Sequence, residues 1–271
     1  GLELWRSIRG RTGYFRLNDM INSLSTGMIS VQMEIISKAW KFLGYGVVAQ
    51  WAMWDGWSLD SVWLWVLAFL LYDLCYYWNH RFGHEMNLFW AAHSVHHQSE
   101  DYNLTTALRQ SSTKFFFDWI FYLPLALLGM PLLMFIVVAT VNLLYQFWVH
   151  TQHIGQLGIL DRIIVTPSNH RVHHGQNALY MDKNYGGMFV IWDRWFGTFQ
   201  PELASEPVIY GVRKPLASWN PIWAHTKIFW ELIQDARLSD NRWDWLRIWF
   251  MPTGWRPASA IAKRTVHKSD L

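Results

Sequence analysis

Four short groups of histidines constrain this chain more than any other feature. Ten of its twelve histidines lie between positions 80 and 174, within HRFGH (80–84), HSVHH (93–97), HTQH (150–153) and HRVHH (170–174). Residues three and four apart lie on one face of a helix, so each HxxHH group can direct its first histidine and its last two at one point. The fold is therefore expected to bring together segments that are far apart in sequence.

This pattern indicates metal binding. Neutral imidazole is the commonest nitrogen ligand in proteins and suits iron, zinc, copper and nickel. One ion takes roughly six ligands at most, so this many histidines suit two ions. A dinuclear centre built from imidazole keeps a high positive charge and can bind dioxygen, whereas zinc alone has no redox chemistry. We therefore predict a dinuclear, redox-active metal centre.

Apolar runs flank the histidine groups and predict membrane helices. Residues 61–78 carry Asp73 as their only charge, over a length that lets a helix cross a bilayer. Residues 115–149 carry only Asp118, and the Gly-Met-Pro sequence at 129–131 predicts a hairpin of two helices. Both runs are therefore expected to form spanning segments.

The stretch 21–54 is a weaker spanning candidate, because it holds Glu34, Lys38 and Lys41 at helical spacing. The 20 tryptophans of the chain fit side chains that collect at membrane interfaces. We expect an all-α integral membrane protein in which about four transmembrane helices are topped by a cytosolic helical cap that holds the histidines.

Basic residues orient this arrangement. The short connections 54–60 and 129–131 contain no Lys or Arg, whereas the N-terminal segment and the histidine-rich segments do. Because basic loops stay on the cytosolic side, the histidine site is expected to face the cytosol. The host membrane would be the endoplasmic reticulum in a eukaryote and the inner membrane in a bacterium.

We divide the chain into a catalytic domain over residues 1–218 and amphipathic helices over 219–271. The tail mixes aromatic and charged side chains, as in IWAHTKIFWELIQDARL (222–238), which is typical of helices at a bilayer surface. Ordinary packing against the rest of the protein is the alternative. The net charge of +3 comes without a basic stripe and indicates no nucleic-acid partner. The single cysteine excludes an intrachain disulfide.

Four polar residues are candidates for supporting the chemistry. Metal-bound histidine usually donates its other nitrogen to a carboxylate or a carbonyl. Asp73 lies on the helical face of His80, and a carboxylate within an apolar helix is a functional hypothesis by default. Asn142 begins a polar stripe that leads toward the histidine at position 150, and Glu85 and Asp101 lie close to the histidine groups in sequence. Helix–helix hydrogen bonding and solvation are the alternatives for these residues.

The order HxxxH, HxxHH, a later histidine and HxxHH around apolar helices resembles the fatty acid hydroxylase and sterol desaturase superfamily. The segment NYGGMFVIWDRWFGTF (184–199) is also similar to that family. A narrower resemblance, to the alkylglycerol monooxygenases, rests on EDYNLTTALRQS (100–111), NLLYQFWVHT (142–151), TPSNHRVHHGQN (166–177) and DKNYGG (182–187). It runs from about residue 16 to residue 212. Members of the family are longer, so we expect this chain to be a core or a short relative.

The resemblance implies two iron ions, which zinc can replace in a purified sample, between membrane helices and a cytosolic cap. The metal ligands that it implies are His80, His84, His93, His96, His97, His150, His170, His173 and His174. His153 departs from the alkylglycerol branch, where this position is not histidine, but other members of the superfamily have a second histidine near it. We therefore keep His153 as a candidate ligand. Glu85 also matches a position of the alkylglycerol branch.

The resemblance further implies a reaction on a lipid substrate drawn from the bilayer. Dioxygen would hydroxylate the carbon next to the ether oxygen of an O-alkylglycerol, and the hemiacetal would break down to a fatty aldehyde and a glycerol derivative. The implied electron donor is tetrahydrobiopterin, and no residue pattern in the chain indicates its site. The alternatives are sterol or fatty acyl hydroxylation or desaturation on the same scaffold, a metal transporter, and a haem protein.

Overall fold

The computed structural model describes the backbone of residues 1–269 and the side chains of residues 1–265. The first helices are α1 Leu2–Gly10, α2 Leu17–Ala49, α3 Val62–Glu85, α4 Asn87–His97, α5 Leu104–Leu108 and α6 Leu123–Leu127. They are followed by α7 Leu132–Trp148, α8 Pro167–His173, α9 Ile191–Trp195, α10 Pro221–Leu238, α11 Asp244–Phe250 and α12 Ala258–Ser269. Short 3₁₀ helices cover Lys114–Phe116, Asp118–Tyr122 and Leu160–Arg162. No strand is present in this described part, so the all-helical prediction is confirmed.

The two apolar runs form helices of different regularity. The run at 61–78 is the first part of α3, which continues far enough to carry the first two histidines of the cluster. The run at 115–149 gives 3₁₀ turns and the short α6 before the turn, and the continuous α7 after it. Gly129 makes that turn at φ 81°, and a Cβ there would lie 1.9 Å from the Trp54 carbonyl oxygen. A residue with a side chain is therefore excluded at this position.

Across residues 1–269, no helix meets both the length and the apolar character that crossing a membrane requires.

An apolar core joins α2, α3, α6 and α7. Its buried members are Tyr45, Ala68, Tyr72, Tyr122, Leu125, Ala126, Met130, Met134 and Val138. Burial of each large side chain contributes about 1.5–3 kcal/mol. The Tyr45 hydroxyl donates to the Met130 carbonyl at 2.8 Å, so a polar group within this core is satisfied. The core fixes α3 and α7 side by side, and both helices end at the histidines.

The C-terminal helices pack against the helix that carries the second histidine group. Ala91 of α4 is buried together with Leu232 and Ala236 of α10 and Ile248 of α11. Asn87 at the start of α4 donates to the Ile248 carbonyl at 2.8 Å. The tail therefore supports α4, while exposed aromatic side chains such as Trp243 and Phe250, 70% and 60% exposed, remain on its outer side. Whether that side lies at a bilayer surface stays a prediction, and residues 270 and 271 lie outside the described part.

Candidate metal centre

Nine of the ten predicted ligands come together at one end of α3 and α7. Each of the nine is at most 7% exposed. Their ring nitrogens form two groups, and within each group one nitrogen per residue lies within 4.8 Å of the others. The five-histidine group consists of His80, His84, His93, His97 and His173. The four-histidine group consists of His96, His150, His170 and His174.

Two helices supply both groups because of their periodicity. In α4, His93 and His97 are one turn apart and enter the five-histidine group, while His96 is rotated away and enters the other. At α8 the arrangement is reversed, since His170 and His174 join the four-histidine group. The HxxHH spacing thus divides each set of three histidines between the two groups.

The ring nitrogens face one another at distances that call for a cation between them. Nε2 of His93 lies 3.1 Å from Nε2 of both His80 and His97. Nε2 of His150 lies 3.2 Å from that of His96 and 2.9 Å from that of His170. Nε2 of His84, His173 and His174 has no hydrogen-bond partner in the described residues. Buried polar atoms are nearly always satisfied, so these nitrogens fit two metal ions.

In four of the nine rings the opposite nitrogen, Nδ1, is held by a main-chain carbonyl. A carbonyl oxygen only accepts, so each Nδ1 is the protonated donor and Nε2 keeps its lone pair for a metal. The Nδ1–oxygen pairs are His80 to Tyr185 at 2.9 Å, His96 to Arg109 at 2.9 Å, His150 to Gln146 at 2.8 Å, and His173 to Lys183 at 3.1 Å. Ring orientation is therefore set before a metal binds.

Burial also sets the charge of these rings. It lowers the pKa of the α4 and α8 histidines well below 6.5, and neighbouring histidines lower it further. The rings are neutral at pH 7 as a result, and neutral imidazole is the form that binds metal.

A tight loop at 182–187 presents two of the carbonyl acceptors. Asp182 and Asn184 adopt left-handed backbone at φ 58° and φ 57°, which Asp and Asn tolerate better than other side chains. The Asn184 amide donates to the Asn169 and Gln200 carbonyls at 3.0 and 2.7 Å and so anchors the loop. In addition, an Asp182 carboxylate oxygen lies 3.6 Å from His84 Nδ1. The sequence carries only a turn signal for these residues, in the Asp and Asn of DKNYGG, and no signal of a role at the site.

The carboxylate of Asp73 accepts hydrogen bonds from the segment that follows this loop, and it forms none with a histidine. It accepts from the Met188 and Phe189 amides at 2.8 and 3.0 Å and from the Trp192 indole at 3.0 Å. Gly187 allows the approach, because a Cβ there would lie 2.7 Å from a carboxylate oxygen of Asp73. Asp73 therefore ties α3 to the segment that follows the carbonyl-bearing loop.

Asn142 continues this network toward the four-histidine group. Its amide donates to Asp73 at 2.9 Å, and its oxygen accepts from the Gln146 amide. The Gln146 carbonyl holds His150, and the Gln146 side chain accepts from the Tyr76 hydroxyl at 2.6 Å. The polar stripe expected from the sequence is thus a chain of hydrogen bonds that ends at a ring in the four-histidine group.

Besides Asp73 and Asn142, three other predicted site residues lie outside both groups. His153 Nε2 is hydrogen-bonded to the Ser7 hydroxyl at 2.8 Å. Glu85 is paired with Arg81 at 2.9 Å and is 43% exposed. Asp101 accepts from the backbone and the guanidinium of Arg16 at 2.6 and 2.8 Å. In this arrangement their contacts tie neighbouring segments together.

The described part of the chain is all-helical and contains two adjacent groups of buried histidines that could each hold a metal ion. Residues 65–198 match the model of the fatty acid hydroxylase family. No solved structure matches the chain.

The sequence is similar to several alkylglycerol monooxygenases. It is 45% identical to that of Danio rerio over 252 residues, which cover 90% of this chain and 54% of the relative. It is 43% identical to that of Xenopus tropicalis over 89% of this chain and 54% of the relative. For that of Homo sapiens the identity is 46% over 76% of this chain and 46% of the relative. The chain is therefore homologous to the alkylglycerol monooxygenases, as its motifs predict, and spans about half of their length.

Proposed function

We propose that this protein is an O2-dependent di-iron lipid monooxygenase that acts on O-alkylglycerols. The observation that carries the proposal is the pair of buried histidine groups in a chain homologous to alkylglycerol monooxygenases. One oxygen atom would enter the C–H bond next to the ether oxygen, and the other would leave as water after taking up two protons and two electrons from a donor. The resulting hemiacetal breaks down to a fatty aldehyde and a glycerol derivative.

The histidines would hold the two ions, and other parts of the chain orient the histidine rings. The five-histidine and four-histidine groups would each hold one iron, and two irons bound there would supply the oxidation of an unactivated C–H bond by dioxygen. The chain itself orients the rings through carbonyls and excludes bulk water, since every ligand is buried.

Aromatic side chains offer a wall for an alkyl chain beside the five-histidine group. Phe89 lines the small cavity that reaches His80 and His93. Its ring packs against Phe117 at 5.8 Å and Phe121 at 5.4 Å between centroids. A rigid apolar wall of this kind restricts where the reacting carbon can lie, and such positioning is a large part of catalysis.

Bilayer contact is also part of the proposal. Large apolar side chains face outward on α3 and α7, including Val62 and Trp63 at 71% and 81% exposure and Leu143 and Leu144 at 66% and 67%. Apolar surface of this kind marks an interaction site, and a lipid surface suits an enzyme that draws an apolar substrate. We propose that these faces are embedded in lipid and that the histidine end faces the cytosol.

A second cavity supports a place for the electron donor, which we propose to be tetrahydrobiopterin. Its volume is about 170 Å³, and its walls include Arg16, Asp19, Gln98, Arg109 and Trp219. Gln98 directly follows a ligand of the five-histidine group, and the Arg109 carbonyl holds one of the four-histidine group. A ring-sized donor with polar edges suits this cavity better than a lipid chain does.

Product analysis tests the proposal. Iron-loaded protein in lipid nanodiscs, supplied with dioxygen and reduced pterin, is expected to release fatty aldehyde from an alkylglycerol and none from the matching acylglycerol. A His96→Ala variant is the matched control and should release none from either. If only sterols or acyl lipids are oxidised, the alternative reactions on this scaffold replace the ether-lipid assignment.

A further inference from the structure

A cavity of about 10 Å³ lies against the five-histidine group. This volume holds about one water-sized group. Its walls are His80 and His93, the apolar Gly83, Phe89, Ala92 and Phe117, and the polar Asn79, Lys114 and Asp118. A cation thus shares one small cavity with two proposed metal ligands.

The Lys114 ammonium has no hydrogen-bonded or carboxylate partner among the described residues. Among the described residues, no hydrogen bond is formed by its ammonium and no carboxylate lies within 4.0 Å of it; the nearest aromatic face is Tyr76, 5.9 Å to the ring centre. The carboxylate of Asp118 is taken by Lys41 at 3.1 Å, and the same Lys41 ammonium binds Glu34 at 3.1 Å. The Lys114 side chain is partly exposed and lines the cavity, so its three N–H donors remain available to a ligand there.

We propose that Lys114 and the metal of the five-histidine group together bind one small anion, of the size of hydroxide or fluoride. A metal would contribute positive charge beside His80 and His93, and the Lys114 ammonium contributes it from the wall of the same cavity. An anion between two cations in a cavity with little water is stabilised far more than in bulk solvent. The inference rests on the proposed metal centre and not on the identity of the lipid substrate.

The choice of anion follows from the size of the cavity. The cavity has room for about one heavy atom. Fluoride and hydroxide each have one heavy atom and therefore fit, whereas carboxylates and phosphates are too large. Lys114 therefore acts as a binding residue toward a metal-site ligand, with three N–H donors to offer.

The test is fluoride binding to cobalt-loaded protein, followed by fluorine NMR line broadening. Lys114→Met keeps the chain length and removes the charge, and it is expected to weaken fluoride binding about tenfold or more. Lys114→Arg should retain most of the affinity. The matched control is Lys38→Met, which removes the same charge from an exposed position on α2 and should leave the affinity unchanged.

Metal content, measured on each variant, separates the two possible failures. If Lys114→Met holds a full complement of cobalt and binds fluoride as tightly as the unmodified protein, the anion site is wrong while the metal centre stands. If the unmodified protein holds no cobalt, the metal centre and the anion site are both wrong. Should Lys114→Met fail to fold, Lys114→Gln provides the same comparison with a neutral donor.

Discussion

His150 and His153 both follow α7, yet their rings have different partners. His150 is held by the Gln146 carbonyl within the last turn of the helix and joins the four-histidine group. His153 lies beyond the end of α7 at Trp148, and its ring contacts Ser7 and Tyr14 instead. A spacing of three directs two side chains to one point only while the chain is helical. The HTQH motif alone therefore does not decide whether both histidines bind metal.

Substitution of single histidines separates ligands from neighbours. His96→Ala is expected to remove the metal of the four-histidine group, because three ligands remain and a partner of His150 is lost. His153→Ala, the matched control, should keep the full metal content, since the Ser7 contact that it loses is outside both groups. Elemental analysis of the purified variants measures this. Equal metal loss in both would contradict the assignment of ligands.

At the scale of elements, sequence reasoning identified the histidines that the fold brings together but not what orients them. The nine histidines were predictable because residue type and helical spacing carry the signal. The carbonyls of Lys183 and Tyr185 were not, since any residue has a carbonyl and only the left-handed positions at Asp182 and Asn184 bring these two to the rings. Asp73 was placed on the correct face of α3, but the segment that it binds comes from more than a hundred residues later.

Asp73→Ala tests the link between α3 and that segment. Loss of the carboxylate leaves two part-buried backbone amides, the Trp192 indole and the Asn142 amide without this acceptor, so we expect a destabilisation of about 3–5 kcal/mol and about 10–100-fold weaker metal binding. Asp60→Ala, at an exposed position, should change neither quantity. Thermal unfolding and competition with a metal chelator provide the measurements. Unchanged metal affinity in Asp73→Ala would show that the segment does not depend on this anchor.

For the molecule as a whole, the sequence predicted where the long helices lie, but it did not predict where a helix is interrupted by 3₁₀ turns. Apolar periodicity located α2, α3 and α7, and Gly129 marked the turn of the hairpin. The break of the run after residue 114 into 3₁₀ turns was not predictable, because it depends on how Phe115 and Tyr122 pack against distant helices. The packing of α10 on α4 was not predictable either. An amphipathic pattern is the same in a helix that packs on another helix and in one that lies at a bilayer surface, and only tertiary contacts distinguish the two.

The buried histidines make the metal-free protein sensitive to acid. Burial lowers the pKa of the α4 and α8 histidines in the folded state, whereas it is near 6.5 in the unfolded chain. As the pH falls through about 6.5, the unfolded chain takes up protons that the folded protein does not, so the free energy of unfolding decreases. We expect the melting temperature of the metal-free protein to be constant above about pH 7.5 and to fall steadily below about pH 6.5. A melting temperature that rises on acidification would contradict neutral, buried rings.

We propose that nine histidines hold two metal ions. The metal stoichiometry of the iron-loaded protein tests this, measured by mass spectrometry of the intact chain under native conditions after removal of loosely bound metal. We expect two ions per chain in the unmodified protein and in His153→Ala, and one in His96→Ala. A stoichiometry of zero or one in the unmodified protein would contradict it.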